Sequence, residues 1–229
     1  MDRWVPALST YAKDIDDLVL WIGILVGFWF FLCEFIFFYF ILRYRKRTGV
    51  NAEYITGDVA SEKRWVSYPH YAVLVFDVLI IVWAIQVWVN VKQTLPPADA
   101  RVRVIGQQWA WSFQHPGLDG KLDTADDIRT VDDLHVEVGK VYHYELEAKD
   151  VLHSFSVPVF RLKQDAIPGR RIVGWFEATG TGTHDIQCAE ICGIGHGIMF
   201  GRIVIESSAD HQAWMAQNSP QGSAPAAAE

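Results

Sequence analysis

Two long apolar stretches open the chain, and short alternating stretches fill the rest. The first, from Leu18 to Leu42 (LVLWIGILVGFWFFLCEFIFFYFIL), holds 25 residues with Glu34 as its single charge. At about 1.5 Å per residue it exceeds the roughly 30 Å hydrocarbon core of a bilayer. The second, Tyr71 to Val91, has 21 residues and Asp77 as its single charge. Both predict membrane-spanning helices, because a buried core helix seldom runs so far without a polar stripe. The first does not read as a secretory signal: seventeen largely polar residues precede it and no small-residue cleavage site follows. Between the stretches lie Arg43, Arg45, Lys46, Arg47, Lys63 and Arg64, which assign that loop to the cytoplasm. The N-terminal segment, with Asp2, Asp14, Asp16 and Asp17, is then expected outside, with everything after Val91. Lys92 and Pro96-Pro97 close the second helix, since proline cannot continue it.

Beyond residue 97 the period changes. In Val141 to Ala148, Tyr142, Tyr144, Leu146 and Ala148 alternate with Val141, His143, Glu145 and Glu147, the mark of a half-buried strand. Similar runs are Arg101 to Ile105, Leu134 to Val138, Ile172 to Ala178, Thr183 to Gln187 and Arg202 to Ile205. Breaks such as Gly139, Pro168-Gly169 and Gly180-Thr181-Gly182 separate several of them, the pattern of a β-sandwich or barrel. The expected layout is an external segment 1–17, spans 18–42 and 70–92 around a cytoplasmic loop 43–69, an external domain 98–218 and a flexible, low-complexity tail 219–229.

Composition sharpens this division. The formal net charge of -7 lies entirely beyond residue 97, where 11 Lys and Arg face 18 Asp and Glu. An acidic chain argues against nucleic acid as a partner, whose binding draws mostly on Lys and Arg. Three Cys exclude a disulfide-stapled scaffold. Several acidic residues share one loop, DGKLDTADD, with Asp119, Asp123, Asp126 and Asp127. These are calcium candidates, although the run lacks the glutamate at twelve that a calcium loop uses.

The densest chemistry lies in Cys188 to Met199, CAEICGIGHGIM, which packs two thiols, an imidazole and a thioether among three glycines. Thiolate and thioether beside imidazole select copper over hard cations. His153, in VLHSFSVP, sits where a strand would return it to the same loop. One Cys, two His and a Met would make a mononuclear blue-copper site, whereas two Cys allow both sulfurs to bridge two metals. A plain Cys188–Cys192 disulfide competes in an oxidising compartment. Zinc would take Cys and His but has little use for Met199. The conjunction of soft donors favours copper.

The His153-Ser154-Phe155 segment, the C-A-E-I-C-G-x-G-H-G-x-M motif and Gln108-Trp109-Ala110-Trp111 resemble subunit II of cytochrome c oxidase. With the two-helix anchor, the resemblance runs from about Leu18 to Glu206. It implies a two-helix transmembrane hairpin followed by an all-β, cupredoxin-like Greek-key barrel or sandwich holding the dinuclear CuA centre of two copper ions. By that resemblance Cys188 and Cys192 bridge the coppers, His153 and His196 each cap one, and Met199 and the Glu190 carbonyl are weak ligands. The Glu190 side chain matches the position that reaches a magnesium or manganese ion at the interface with subunit I. Trp109 matches the exposed point at which electrons arrive, although Ala110 stands where the family usually has Tyr. For Trp109 and Trp111 alike, ordinary β-core packing is the competing reading. Glu62, in E-x-x-W-x-x-x-P with Trp65 and Pro69, matches a glutamate at the cytoplasmic mouth of a proton channel; an ordinary loop carboxylate beside Lys63 and Arg64 competes.

The implied function is to take electrons from cytochrome c, or a similar one-electron donor, and pass them to haem in subunit I, where oxygen is reduced to water and protons are pumped. The haems and CuB then belong to subunit I, since no C-x-x-C-H occurs here. The implied partners are subunits I and III, the donor and membrane lipid. The acidic domain would attract a lysine-rimmed donor. The start of the chain lacks a targeting peptide, which favours a bacterial plasma membrane with a periplasmic domain over a mitochondrial inner membrane. A copper-free quinol-oxidase subunit is disfavoured because every ligand position is filled, and a mononuclear cupredoxin by the second Cys. Nitrous oxide reductase shares the motif but needs a large propeller domain for which this chain has no room. A non-redox membrane protein with a Cys188–Cys192 disulfide is the remaining alternative.

Overall fold

The computed structural model describes residues 5–51 and 53–220. Asp2 and most of the expected tail, residues 221–229, lie outside the described residues. The chain divides into two units, residues 16–89 and a second unit that joins the residues up to 15 to those from 90 onward.

The first unit is helical. Helix α1 spans Ala12–Arg43 and α2 spans Ala60–Trp88, followed by a π-helical turn at Val89–Gln93. Both are long and apolar enough to cross a membrane. Their side chains are largely exposed (Phe31 and Phe35 each 71%), which costs nothing in hydrocarbon but would be unfavourable in water. α2 begins ten residues before the span expected at 70, within the segment read as loop, and runs through Pro69. Glu62 stands in its first turn and accepts a hydrogen bond from the Gly57 amide (2.9 Å) in the preceding loop.

The second unit is a two-sheet β-sandwich. Strands β1 (Ala100–Gln107), β2 (Ala110–His115), β3 (Ile128–Val131), β5 (Val141–Ala148) and β8 (Ile172–Glu177) form one sheet in the order β3-β2-β1-β5-β8. The other has the order β4-β10-β9-β6-β7, from Asp133–Glu137, Phe200–Glu206, Gly182–Cys188, His153–Val157 and Leu162–Ala166 respectively. Two parallel pairs, β1 with β5 and β4 with β10, join otherwise antiparallel ladders. This is the cupredoxin-like sandwich that the resemblance implies.

The alternation expected in β5 is realised: Tyr142, Tyr144 and Leu146 are buried, while Glu145 and Glu147 are not. Their partners include Trp111, Phe113, Phe155, Phe160 and Phe176, and each such ring contributes about 1.5–3 kcal/mol on burial. Helix α3 (Ser208–Asn218) ends the described chain, capped by Ser207, whose hydroxyl accepts from the Asp210 amide.

The N-terminal segment belongs to this second unit. Leu8 donates to the Val159 carbonyl (2.7 Å), Thr10 to that of Glu177 (3.2 Å), and the Ser9 hydroxyl to that of Phe160 (2.9 Å). Tyr11 lies edge-on to Trp175 (5.2 Å) and is buried.

Candidate metal centre

Strands β6 and β9 are adjacent, with Phe155 opposite Cys188, so the His153 strand returns to the cysteine loop as expected. After Cys188 the chain leaves the sheet and comes back at Phe200, with a 3-10 turn at His196–Ile198. The Cys188 amide donates to the Met199 carbonyl (3.2 Å), which closes the loop at its base. The loop tightens at Gly193, whose φ of +124° suits glycine, and at Gly195, where a Cβ would lie 2.4 Å from the Trp109 ring.

This folding gathers five side chains. The Cys188 and Cys192 sulfurs are 3.7 Å apart and unlinked, far beyond the roughly 2.05 Å of a disulfide. His153 Nδ1 lies 3.9 Å from Cys188 Sγ, and His196 Nδ1 lies 3.7 Å from Cys192 Sγ. Met199 Sδ is 3.8 Å from Cys192 Sγ, and the Glu190 carbonyl is 3.3 Å from Cys188 Sγ. Among the described residues, His153, Cys188 and Cys192 form the group with ligand atoms spaced to hold a metal ion.

Burial, and then the neighbouring Cys188, push the Cys192 thiol up to about 11. The Cys192 thiol therefore stays protonated unless a cation arrives to offset its thiolate. His153 has no exposed surface, and its Nε2 lies 2.8 Å from Asp150 Oδ1, which turns Nδ1 toward Cys188. The donor set of two thiols, two imidazoles and a thioether fits copper.

The two tryptophans of the QWAW segment part company. Trp111 is wholly buried in the core, as ordinary packing predicts, whereas Trp109 is 37% exposed. Trp109 Nε1 (3.3 Å) and Gln108 Nε2 (2.8 Å) both donate to the Cys192 carbonyl, so this hairpin tip is tied directly to the cysteine loop.

A family model for the periplasmic domain of cytochrome c oxidase subunit II matches residues 100–208. The alternative cytochrome c oxidase subunit 2 of Bradyrhizobium diazoefficiens is 32% identical over 243 residues, covering 93% of this chain and 83% of its own length. The chain belongs to the cytochrome c oxidase subunit II family. The subunit 2 of Cereibacter sphaeroides is 28% identical and covers 93% of this chain and 78% of that protein. The crystal structure of the periplasmic domain of subunit II from Bradyrhizobium japonicum has a TM-score of 0.49 at 30% identity, over 55% of this chain and 96% of that one.

The remaining candidates in this family member lie elsewhere. Glu62 is in the helical unit. The calcium candidates are drawn into bonds of their own. Asp123 binds Arg103 (2.6 and 2.9 Å), Asp126 accepts from the Asp119 amide (3.1 Å), and Asp127 accepts from the Asp123 amide (2.8 Å) and from Gln114 Nε2.

Sequence reading missed Asp150, whose second oxygen accepts from the Gln108 amide (2.7 Å), so that one carboxylate ties the hairpin tip to His153. Its position three residues before a candidate ligand was the available signal. A cluster of His115, His135, His211 and Trp214 beneath α3 was also missed. His135 and His211 share the Glu206 carboxylate (2.9 and 2.8 Å), and Trp214 stacks on His135 at 4.1 Å. The S-S-A-D helix start was its visible trace.

Proposed function

We propose that this subunit carries electrons through a dinuclear copper centre, from a soluble one-electron donor such as cytochrome c toward haem in subunit I. The observation that supports this most is the pair of unlinked, buried sulfurs flanked by two imidazoles and a thioether. Cys188 and Cys192 would hold both metals, His153 and His196 one each, with Met199 and the Glu190 carbonyl as weak ligands. Copper, when bound, supplies a one-electron couple whose charge is shared through two thiolates. The chain's own part is to exclude water and to fix its ligands in place, so that little rearranges between oxidation states. Burial of Cys192, Met199 and His153 does the first, and the Asp150 tie does the second.

Trp109 receives the electron from the donor, since it is exposed and hydrogen-bonded to the Cys192 carbonyl. The Glu190 side chain contributes to a magnesium or manganese ion shared with subunit I, and subunit III completes the assembly. Both ends of the chain lie outside the membrane, in agreement with the packing of Leu8–Tyr11 on the β-sandwich, and the arginine-rich loop lies in the cytoplasm. Glu62 stands at the proton-uptake side; in the assembled oxidase, Glu62→Gln is expected to slow turnover and proton uptake, and unchanged rates would remove that role.

The test of the copper reading uses the full chain in detergent, reduced and loaded with copper. Metal analysis is expected to give two coppers per chain, with an electron spin resonance spectrum in which one unpaired electron is shared equally by both nuclei. A single copper with the electron on one nucleus, or a colourless chain with a Cys188–Cys192 disulfide, would overturn it.

A further inference from the structure

The inward positions of β1 read Val102, Val104, Gly106. The two valines are wholly buried, as strand propensity favours, and the glycine breaks the series at its third member. Its backbone does not require glycine, because its φ is not in the left-handed region. The requirement is one of space. A Cβ at Gly106 would lie 3.1 Å from His153 Cδ2, 3.2 Å from His153 Cγ and 3.2 Å from Trp111 Cζ3.

Neither neighbour has room to yield. Trp111 has no exposed surface and meets Phe155 edge-on at 5.4 Å and His153 at 6.0 Å. His153 is equally buried, and its Nε2 is tied to Asp150, whose other oxygen is held by the Gln108 amide. The imidazole is thus bounded on one side by the missing methyl of Gly106 and on another by a carboxylate.

We propose that Gly106 is a positioning residue that sets where the His153 imidazole sits, and through it the bond His153 makes to metal. The second clause rests on the copper reading above; the first does not. In close-packed interiors a shift of a few tenths of an ångström propagates to the neighbours. Such a shift would move Nδ1 relative to Cys188 Sγ.

The test compares Gly106→Ala with Gly174→Ala in the full chain. At Gly174 a Cβ would fall 2.2 Å from the Tyr144 hydroxyl, so that variant carries a larger packing fault away from the sulfurs. In metal-free, histidine-labelled protein, Gly106→Ala is expected to move the ring resonances of His153, and Gly174→Ala to leave them in place. After copper loading, Gly106→Ala is expected to change the hyperfine pattern and visible bands and to weaken copper binding about 10- to 100-fold. Gly174→Ala lowers the melting temperature and leaves the copper signature alone. Unmoved His153 resonances and an unchanged copper signature in Gly106→Ala would overturn the proposal. A wild-type chain that binds no copper would instead remove the functional reading, and the metal-free resonances would then decide the place of the ring.

Discussion

The two ends of the β1–β2 hairpin each collect side chains capable of binding a cation, and they treat them in opposite ways. At the tip, Gln108 and Trp109 spend their side-chain donors on the carbonyl of Cys192, which leaves the thiols and the metal-facing Nδ1 atoms of the imidazoles uncommitted to any strong partner. Four residues away along β1, Arg103 lies opposite Gln114 and answers the carboxylates of Asp123, Glu145 and Glu147 within 3.7 Å. One end keeps its donor atoms close together, held only by long contacts to one another and to the Glu190 carbonyl, so that a metal can replace those contacts. The other supplies its own cation. Counting ligand-type residues does not separate the two; asking what each one already binds does.

The strongest way to break this comparison is to remove a sulfur. Cys192→Ser is expected to abolish the shared-electron signature and to cut oxygen consumption driven by cytochrome c by more than roughly 100-fold, beyond what loss of a supporting residue costs. Activity near the wild-type rate would mean that the sulfur pair is not the route.

Arg103→Met probes the other end. It removes a buried cation, while Glu145 and Glu147 keep Arg171 (3.3 and 2.6 Å) and Asp123 faces water, so the loss is smaller than that of a fully buried pair. Denaturant unfolding of the second unit is expected to register that loss, with no change in copper content. A copper defect in this variant would show that the two ends are not independent.

What could be read from the sequence follows the same division. The membrane helices, the β5 alternation and the cysteine loop are local patterns, and their composition already carries their physics. Strands β2, β3 and β7 are not evident because their pattern is not simple alternation: in β2, Gln114 and His115 are buried polar residues. The tie from Asp150 to the Gln108 amide, the place of Gly106 against His153 and the packing of Ser9 against Phe160 depend on residues distant in sequence meeting in space. No window of the chain contains them. The partners of the acidic loop escape the sequence for the same reason, since Arg103 is separated from Asp123 by nineteen intervening residues.

The histidine cluster beneath α3 offers a smaller, pH-dependent test. Burial, with His135 and His211 nearby, lowers His115 from 6.5 to about 3. The folded state therefore holds His115 neutral while the unfolded chain binds a proton below about 6.5. Its contribution to stability is complete above that pH and is lost as pH falls toward 3. Asp123, held at about 2 by the Arg103 hydrogen bond first and that from Gln114 next, contributes in the same direction but only below its ordinary 3.8. Denaturant midpoints between pH 7 and 4 should thus fall in the wild type and flatten in His115→Phe. Equal slopes in the two proteins would mean that His115 is not buried as a neutral ring.

The smallest expected effect is that of calcium. For the ion to bind Asp119, Asp123, Asp126 and Asp127, it would have to displace Arg103 from Asp123, Thr124 from Asp126 (2.6 Å) and Gln114 from Asp127. Each exchange gives up a side-chain hydrogen bond to a charged carboxylate, and water around the free ion is lost as well. A ligand present at 100 times its Kd stabilises the folded state by about 2.7 kcal/mol, so millimolar calcium that bound usefully would raise the melting temperature measurably. No rise is expected in the wild type, and titration calorimetry should register no heat. A rise would mean that carboxylates already satisfied by the protein can still be recruited, and the contrast between the hairpin's two ends would lose its basis.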